Sequence, residues 1–147
     1  MFLVGIDIGK NNHTFSVVDK NTGEILSLPS DFENNQKGFL FLTNKLSNFT
    51  KSEILIGMED TGHYHFALLK FLLDNRYTVA LINPTTTDLA RKLQGDISKN
   101  DTLDSLTICD VISSNNRKKP YRITTVNRFD LYEQKQLTRH HHNLKEE

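Results

Sequence analysis

Short β-type runs open the chain, and helical spacing alternates with them further on. Residues 2–8 (FLVGIDI), ended by Gly9, predict a first strand. Residues 13–19 (HTFSVVD) alternate and predict a second. Asn21, Thr22 and Gly23 supply a turn, and residues 24–28 predict a third strand closed by Pro29. Phe39, Leu42 and Leu46 recur at helical spacing within residues 35–48. Residues 53–58 (EILIGM) form an unbroken apolar run, as a strand covered on both faces would. A helix over residues 62–74 follows, with Asp60 or Thr61 as its cap. Residues 78–82 (TVALI) predict a fifth strand, ended by Asn83 and Pro84, and a short helix over about residues 86–93 comes next. The stretch SKNDTLDS, residues 98–105, leads into a helix that runs to about residue 114. A polar break, NNRKKP, separates it from a last helix over residues 127–145. That helix has few apolar positions, so it is expected to project from the body and pair with another chain or continue into a further part of the protein.

A meander followed by alternating helices and strands predicts an α/β layer fold with a mixed five-stranded sheet, in the order βββαβαβα. That order matches the ribonuclease H-like fold. Fold alone does not give function.

The chain's 147 residues suit one domain with a real core. No apolar run is long enough to span a membrane, and the N-terminal stretch lacks the pattern of a secretory signal. The single cysteine, Cys109, lies in an apolar stretch and reads as a core residue; a chain without disulfides fits a reducing cytoplasm. Formal net charge is zero, with 18 basic and 18 acidic residues. That argues weakly against a domain that holds nucleic acid by bulk electrostatics alone, and a polyanion contact would have to come from a local patch or from bound metal.

Four acids carry the candidate chemistry. Asp7 lies between two isoleucines in the first strand, where an unpaired charge is costly. Glu59 ends the apolar run of the fourth strand, and ligand groups in α/β sheets gather at such ends. Asp101 and Asp104 resemble a capping box at a helix start, with Asp101 as the cap. At about 100° per residue, both also fall on the stripe of Ile108, Val111 and Ile112, the face expected to pack on the sheet. Two strands and one helix can bring all four to one end of the sheet. Carboxylates that close need a counter-charge, and hard cations with oxygen ligands supply it: Mg²⁺, with Mn²⁺ as a substitute. Two such ions about 4 Å apart would stabilise the entering and leaving oxygens of a phosphodiester displacement.

The stretches GIDIGKNNH, GMEDTGHY, VALINP and KNDTLDS stand in the order seen in the DEDD insertion-sequence transposases related to the Piv DNA invertase. The resemblance covers nearly the whole chain. It implies an N-terminal domain similar to the Holliday-junction resolvase RuvC, and it places Asp7, Glu59, Asp101 and Asp104 on the family's acidic tetrad. Asp60, Thr102 and Ser105 depart from the usual residues without removing a ligand. The resemblance further implies DNA as substrate, a structured guide RNA, and assembly into dimers or tetramers. It divides the chain into a RuvC-like catalytic domain, residues 1–122, and the start of a linking helix, residues 123–147. The second domain of the family would be absent, and the isolated piece is expected to be inactive alone.

Other residues stand as nucleic-acid contacts. Lys10, just past the first strand, can reach a phosphate. His63 or His65 could touch a phosphate or form part of a surface helix start. Arg117, Lys118, Lys119 and Arg122 form the one basic cluster, and His140, His141 and His142 read as a solvated helix face. Two other functions fit parts of the chain. GIDIGKNNHTFSVVD resembles the first phosphate-binding hairpin of actin and sugar-kinase-type ATP-handling domains, although no second phosphate motif is found. A non-catalytic nucleic-acid-binding remnant is the other.

Overall fold

A computed structural model describes residues 1–60, 62–83, 103–113 and 122–130. Its strands are β1 (Phe2–Asp7), β2 (Asn12–Asp19), β3 (Ile25–Glu33), β4 (Ile54–Glu59), β5 (Thr78–Asn83) and β6 (Arg122–Val126). Its helices are α1 (Gln36–Leu46), α2 (Phe66–Asp74) and α3 (Ser105–Ser113), with a 3₁₀ turn at Lys51–Glu53. The expected helix near residues 86–93, the basic break at 115–120 and the chain from 131 onward lie outside the described residues.

The strands form one sheet in the order β3-β2-β1-β4-β5-β6. β1, β2 and β3 make an antiparallel meander, while β1–β4 and β4–β5 are parallel. This is the ribonuclease H-like mixed α/β arrangement expected from the hydrophobic pattern, with one strand more. β6 pairs antiparallel with β5, Ile123 opposite Ile82. Its sequence, RITTV, is β-branched but largely polar, as suits a sheet edge. Phe129, just beyond it, packs back on the main core.

β3 continues past Pro29, where the sequence predicts its end. Phe15 pairs with Ser30 and Val17 with Ser27, so Leu28 and Pro29 together oppose Ser16. The proline sits in this bulge on an edge strand, where its missing N–H breaks no ladder.

Side-chain alternation divides the core between the two faces. Val4 and Ile6 of β1, Ile56 and Met58 of β4, and Val79 and Leu81 of β5 face α1 and α2. Leu3, Ala80 and Ile82 face α3, which buries Ile108, Cys109, Val111 and Ile112 against them. Each fully buried aliphatic of this kind contributes about 1.5–3 kcal/mol. Asn35 caps α1, accepting the Gly38 amide at 2.9 Å. α2 begins at Phe66, later than expected, because Gly62 adopts a positive φ of 62° and ends any earlier helical run. His65 is its N-cap and makes no side-chain cap bond, so Asp60 does not cap this helix; Thr61 lies outside the described residues. Among the described residues no helix is long and apolar enough to cross a membrane.

Candidate carboxylate site

Asp7 ends β1 and Glu59 ends β4. The strands run parallel with Gly5 opposite Gly57 and Ile6 opposite Met58. One further step sets Asp7 beside Glu59, and the period of two puts both on the α3 face, with Gly5 and Gly57. The glycine pair opens room for the helix. A Cβ on Gly5 would collide with the Ser105 carbonyl oxygen and crowd the Cys109 amide. One on Gly57 would come within 2.8 Å of the Ile112 side chain. α3 thus lies close on the sheet, and its first residues arrive at the carboxylates.

Hydrogen bonds fix that arrival. The Leu103 amide donates to Glu59 Oε1 at 2.7 Å. The buried hydroxyls of Ser16 and Ser105 share a hydrogen bond of 2.6 Å. The Thr107 amide donates to Asp104 Oδ1 at 2.7 Å, so Asp104 is the N-cap of α3. This corrects the capping box headed by Asp101, because the helix starts at Ser105, one turn later. It also corrects the inward placement of Asp104, whose side chain is exposed. Asp101 lies outside the described residues.

Glu59 is buried, with 8% of its surface exposed. Asp7 is partly buried. Burial is the main cause that pushes its carboxyl above the usual aspartate range, and repulsion from Glu59 and then Asp104 adds to the rise. Glu59 and Asp104 are therefore both within electrostatic reach of Asp7. They are not drawn into a cage: among the described residues no group of three His, Cys, Asp or Glu side chains is gathered closely enough to hold a metal ion. The donor set nevertheless fits a hard divalent cation. All its atoms are carboxylate oxygens, and the repulsion from Glu59 and Asp104 that adds to the rise at Asp7 is what such a cation would relieve.

Lys10 is exposed in the turn after β1, and His63 is exposed after β4, its ring 4.6 Å from that of Tyr64. Both stand on loops that leave the acidic strand ends. His65 is not a surface histidine: it is fully buried, with Nε2 3.2 Å from Asp60 Oδ1. Arg117, Lys118 and Lys119, like His140, His141 and His142, lie outside the described residues. Arg122 opens β6 opposite Asn83. Two polar residues near the site escaped sequence reasoning. His13 is fully buried beneath the turn after β1, and Asn34 bridges that turn to the loop after β4. Alternation offered a signal for His13, since it shares its face of β2 with Phe15 and Val17.

The profile of a DEDD insertion-sequence family, described as "Transposase", matches residues 4–147. Pilin gene-inverting proteins of Moraxella lacunata and Moraxella bovis are each 29% identical over 105 residues, covering 70% of this chain. The match spans 31% of each relative's length, so the chain corresponds to about a third of those proteins. Among solved structures, Thermus thermophilus RuvC in complex with Holliday junction substrate is similar at 12% identity and a TM-score of 0.48. That match covers 77% of this chain and 90% of the RuvC chain. A second Thermus thermophilus RuvC structure matches at 13% identity and a TM-score of 0.45, covering 77% and 91%.

Proposed function

For a chain that belongs to the DEDD transposase family, we propose metal-dependent cleavage and transfer of DNA strands at the Asp7–Glu59–Asp104 end of the sheet. The observation that carries this is the shared charge at that end. Two parallel strands and the start of α3 bring Glu59 and Asp104 within electrostatic reach of Asp7, whose pKa is raised by burial first and by those two acids in addition. Asp101, three residues before Asp104, is the fourth member of the set. Asp7, Glu59, Asp101 and Asp104 would hold Mg²⁺ as a pair of ions, with Mn²⁺ able to replace it.

When bound, such a cation supplies Lewis acidity at the phosphoryl oxygens undergoing in-line displacement. This chain's own residues do the rest. Glu59 stays anchored to the Leu103 amide and ties β4 to the approach of α3. Asp104 commits one oxygen to its helix, which leaves the other available to a cation. Lys10 and His63, exposed on the flanking loops, would meet a DNA backbone, and Arg117, Lys118, Lys119 and Arg122 would extend that contact. The catalytic unit would extend past residue 122 through β6, which pairs with β5 as far as Val126, and a linking helix would begin only after it. Assembly into dimers or tetramers and a guide RNA are parts of the same proposal.

Anomalous diffraction from crystals soaked in Mn²⁺ tests the site. Peaks among Asp7, Glu59 and Asp104 are expected. Their absence at saturating Mn²⁺, with Asp104 still bonded to its own helix, would leave the acids without a metal role.

A further inference from the structure

Asn34 follows β3 and carries no charge, yet it touches both loops that leave the carboxylate strands. Its Nδ2 donates to the Lys10 carbonyl at 3.0 Å and to the Tyr64 carbonyl at 3.2 Å. Its backbone amide donates to the Asn11 carbonyl at 2.8 Å. Lys10 and Asn11 belong to the turn after Asp7, and Tyr64 to the loop after Glu59. Both hydrogens of one side-chain amide are therefore committed to two separate segments, each only a few residues beyond a carboxylate.

His13 supports this arrangement from below. Its Nδ1 accepts the Gly9 amide at 3.1 Å, which places the proton of the neutral ring on Nε2. Its ring packs edge-on against Phe32, with centroids 5.3 Å apart. Burial pushes the imidazole below its usual pKa, which keeps it neutral, and nearby His65 adds to the fall; the Asn34 side chain opposes both. His13 Nε2 and Asn34 Oδ1 are both buried, with no partner at hydrogen-bond distance. One is a donor and the other an acceptor, in the same corner of the fold. The amide orientation that gives Asn34 two donors toward the loops is also the one that turns its oxygen inward.

We propose that Asn34 is a positioning residue: its side-chain amide clamps the turn after Asp7 to the loop after Glu59, and so sets the separation of the two carboxylates for a divalent cation. The clamp presupposes the metal-dependent function above, and its test keeps the two apart. Mn²⁺ binding by calorimetry, thermal midpoint and amide hydrogen exchange would be compared in the wild-type chain, Asn34→Asp, Asp7→Asn and Leu46→Ala. Asn34→Asp preserves shape but sets an acceptor oxygen against two carbonyls. Its added negative charge would by itself attract a cation, so a loss of affinity cannot come from charge.

The expected result is Mn²⁺ binding weakened about 10-fold or more in Asn34→Asp, the scale seen when the partners of metal ligands are removed. Faster exchange across residues 8–12 and 62–65 should accompany it. Leu46→Ala, which opens the buried end of α1, should lower the thermal midpoint at least as much and bind Mn²⁺ as the wild type does. If Asn34→Asp fails to fold, Asn34→Ala carries the same expectation. Asn34 variants that bind Mn²⁺ like the wild type, while Asp7→Asn does not, would overturn the clamp and leave the carboxylate site standing. Unchanged binding in Asp7→Asn would overturn both.

Discussion

Gly5 and Gly57 stand opposite one another in adjacent parallel strands, and α3 rests on both. Their missing side chains let the helix start come close enough for the Leu103 amide to reach Glu59. The two positions differ in what a methyl group would meet. At Gly5 it meets backbone, the Ser105 carbonyl and the Cys109 amide, which cannot move without moving the helix. At Gly57 it meets only side-chain atoms, of Ile112 and Ile108, which can yield by a small shift without moving the helix backbone. Gly5→Ala is expected to cost at least the ~1–3 kcal/mol typical of overpacking, and Gly57→Ala clearly less. Urea unfolding of the two variants checks the order. Equal costs would mean that α3 sits farther from β1 than described.

The raised pKa of Asp7 gives a pH dependence with a defined sign. The folded state holds its proton more tightly than the unfolded state, whose value is near 3.8. Stability is therefore lost as pH rises from that value through the folded one, and the loss is complete above it. Asn cannot ionise, so Asp7→Asn is expected to be more stable than the wild type at neutral pH. The gap should narrow as pH falls toward 3.8. Mn²⁺ should reverse the order at neutral pH by stabilising the wild type alone. Urea titrations of both proteins from acid to neutral pH, with and without the metal, measure all three effects. A gap that stays constant with pH would mean that the folded protein does not perturb Asp7.

Cys109 reports the seating of α3 chemically. It is buried, and its thiol lies 3.6 Å from the Leu3 carbonyl and 3.7 Å from that of Ser16. Burial pushes its pKa up to about 11, so almost no thiolate exists at neutral pH. An aromatic disulfide reagent is expected to react only as fast as α3 lifts from the sheet, and Gly5→Ala should quicken that reaction. Rapid labelling of the native wild-type chain would contradict the close packing.

Most of the sheet was legible because apolar period is a direct consequence of burial. Residues 2–8, 13–19, 53–58 and 78–82 all read as strands and form β1, β2, β4 and β5 with small shifts at their ends. What escaped depended on partners distant in the chain. RITTV has no strong apolar alternation, and it becomes a strand only because β5 offers an edge. Pro29 ends a strand in isolation, but a bulge opposite Ser16 accommodates it. The positions of Asp7 and Glu59 could be read from strand ends, whereas the glycine pair that admits α3 acquires meaning only from the register of β1 against β4. Asn34 gave no signal, because its hydrogen bonds run to carbonyls of loops 24 and 30 residues away.

SKNDTLDS contains two aspartates that could each head a helix, and the described structure gives the cap to Asp104. A cap and a metal ligand make different demands on the same carboxylate. Capping needs one oxygen acceptor at the right distance, which Asn or Ser also supplies; Ala does not, at a cost of about 0.5–2 kcal/mol. Binding a divalent cation needs the negative charge. Asp104→Asn is therefore expected to unfold near the wild-type urea midpoint while losing most of its Mn²⁺ affinity, and Asp104→Ala to lose both. Equilibrium unfolding combined with Mn²⁺ calorimetry separates the roles. Near-normal Mn²⁺ binding in a stable Asp104→Asn would make Asp104 a cap alone, and the metal would have to be held by Asp7 and Glu59 together with residues other than Asp104.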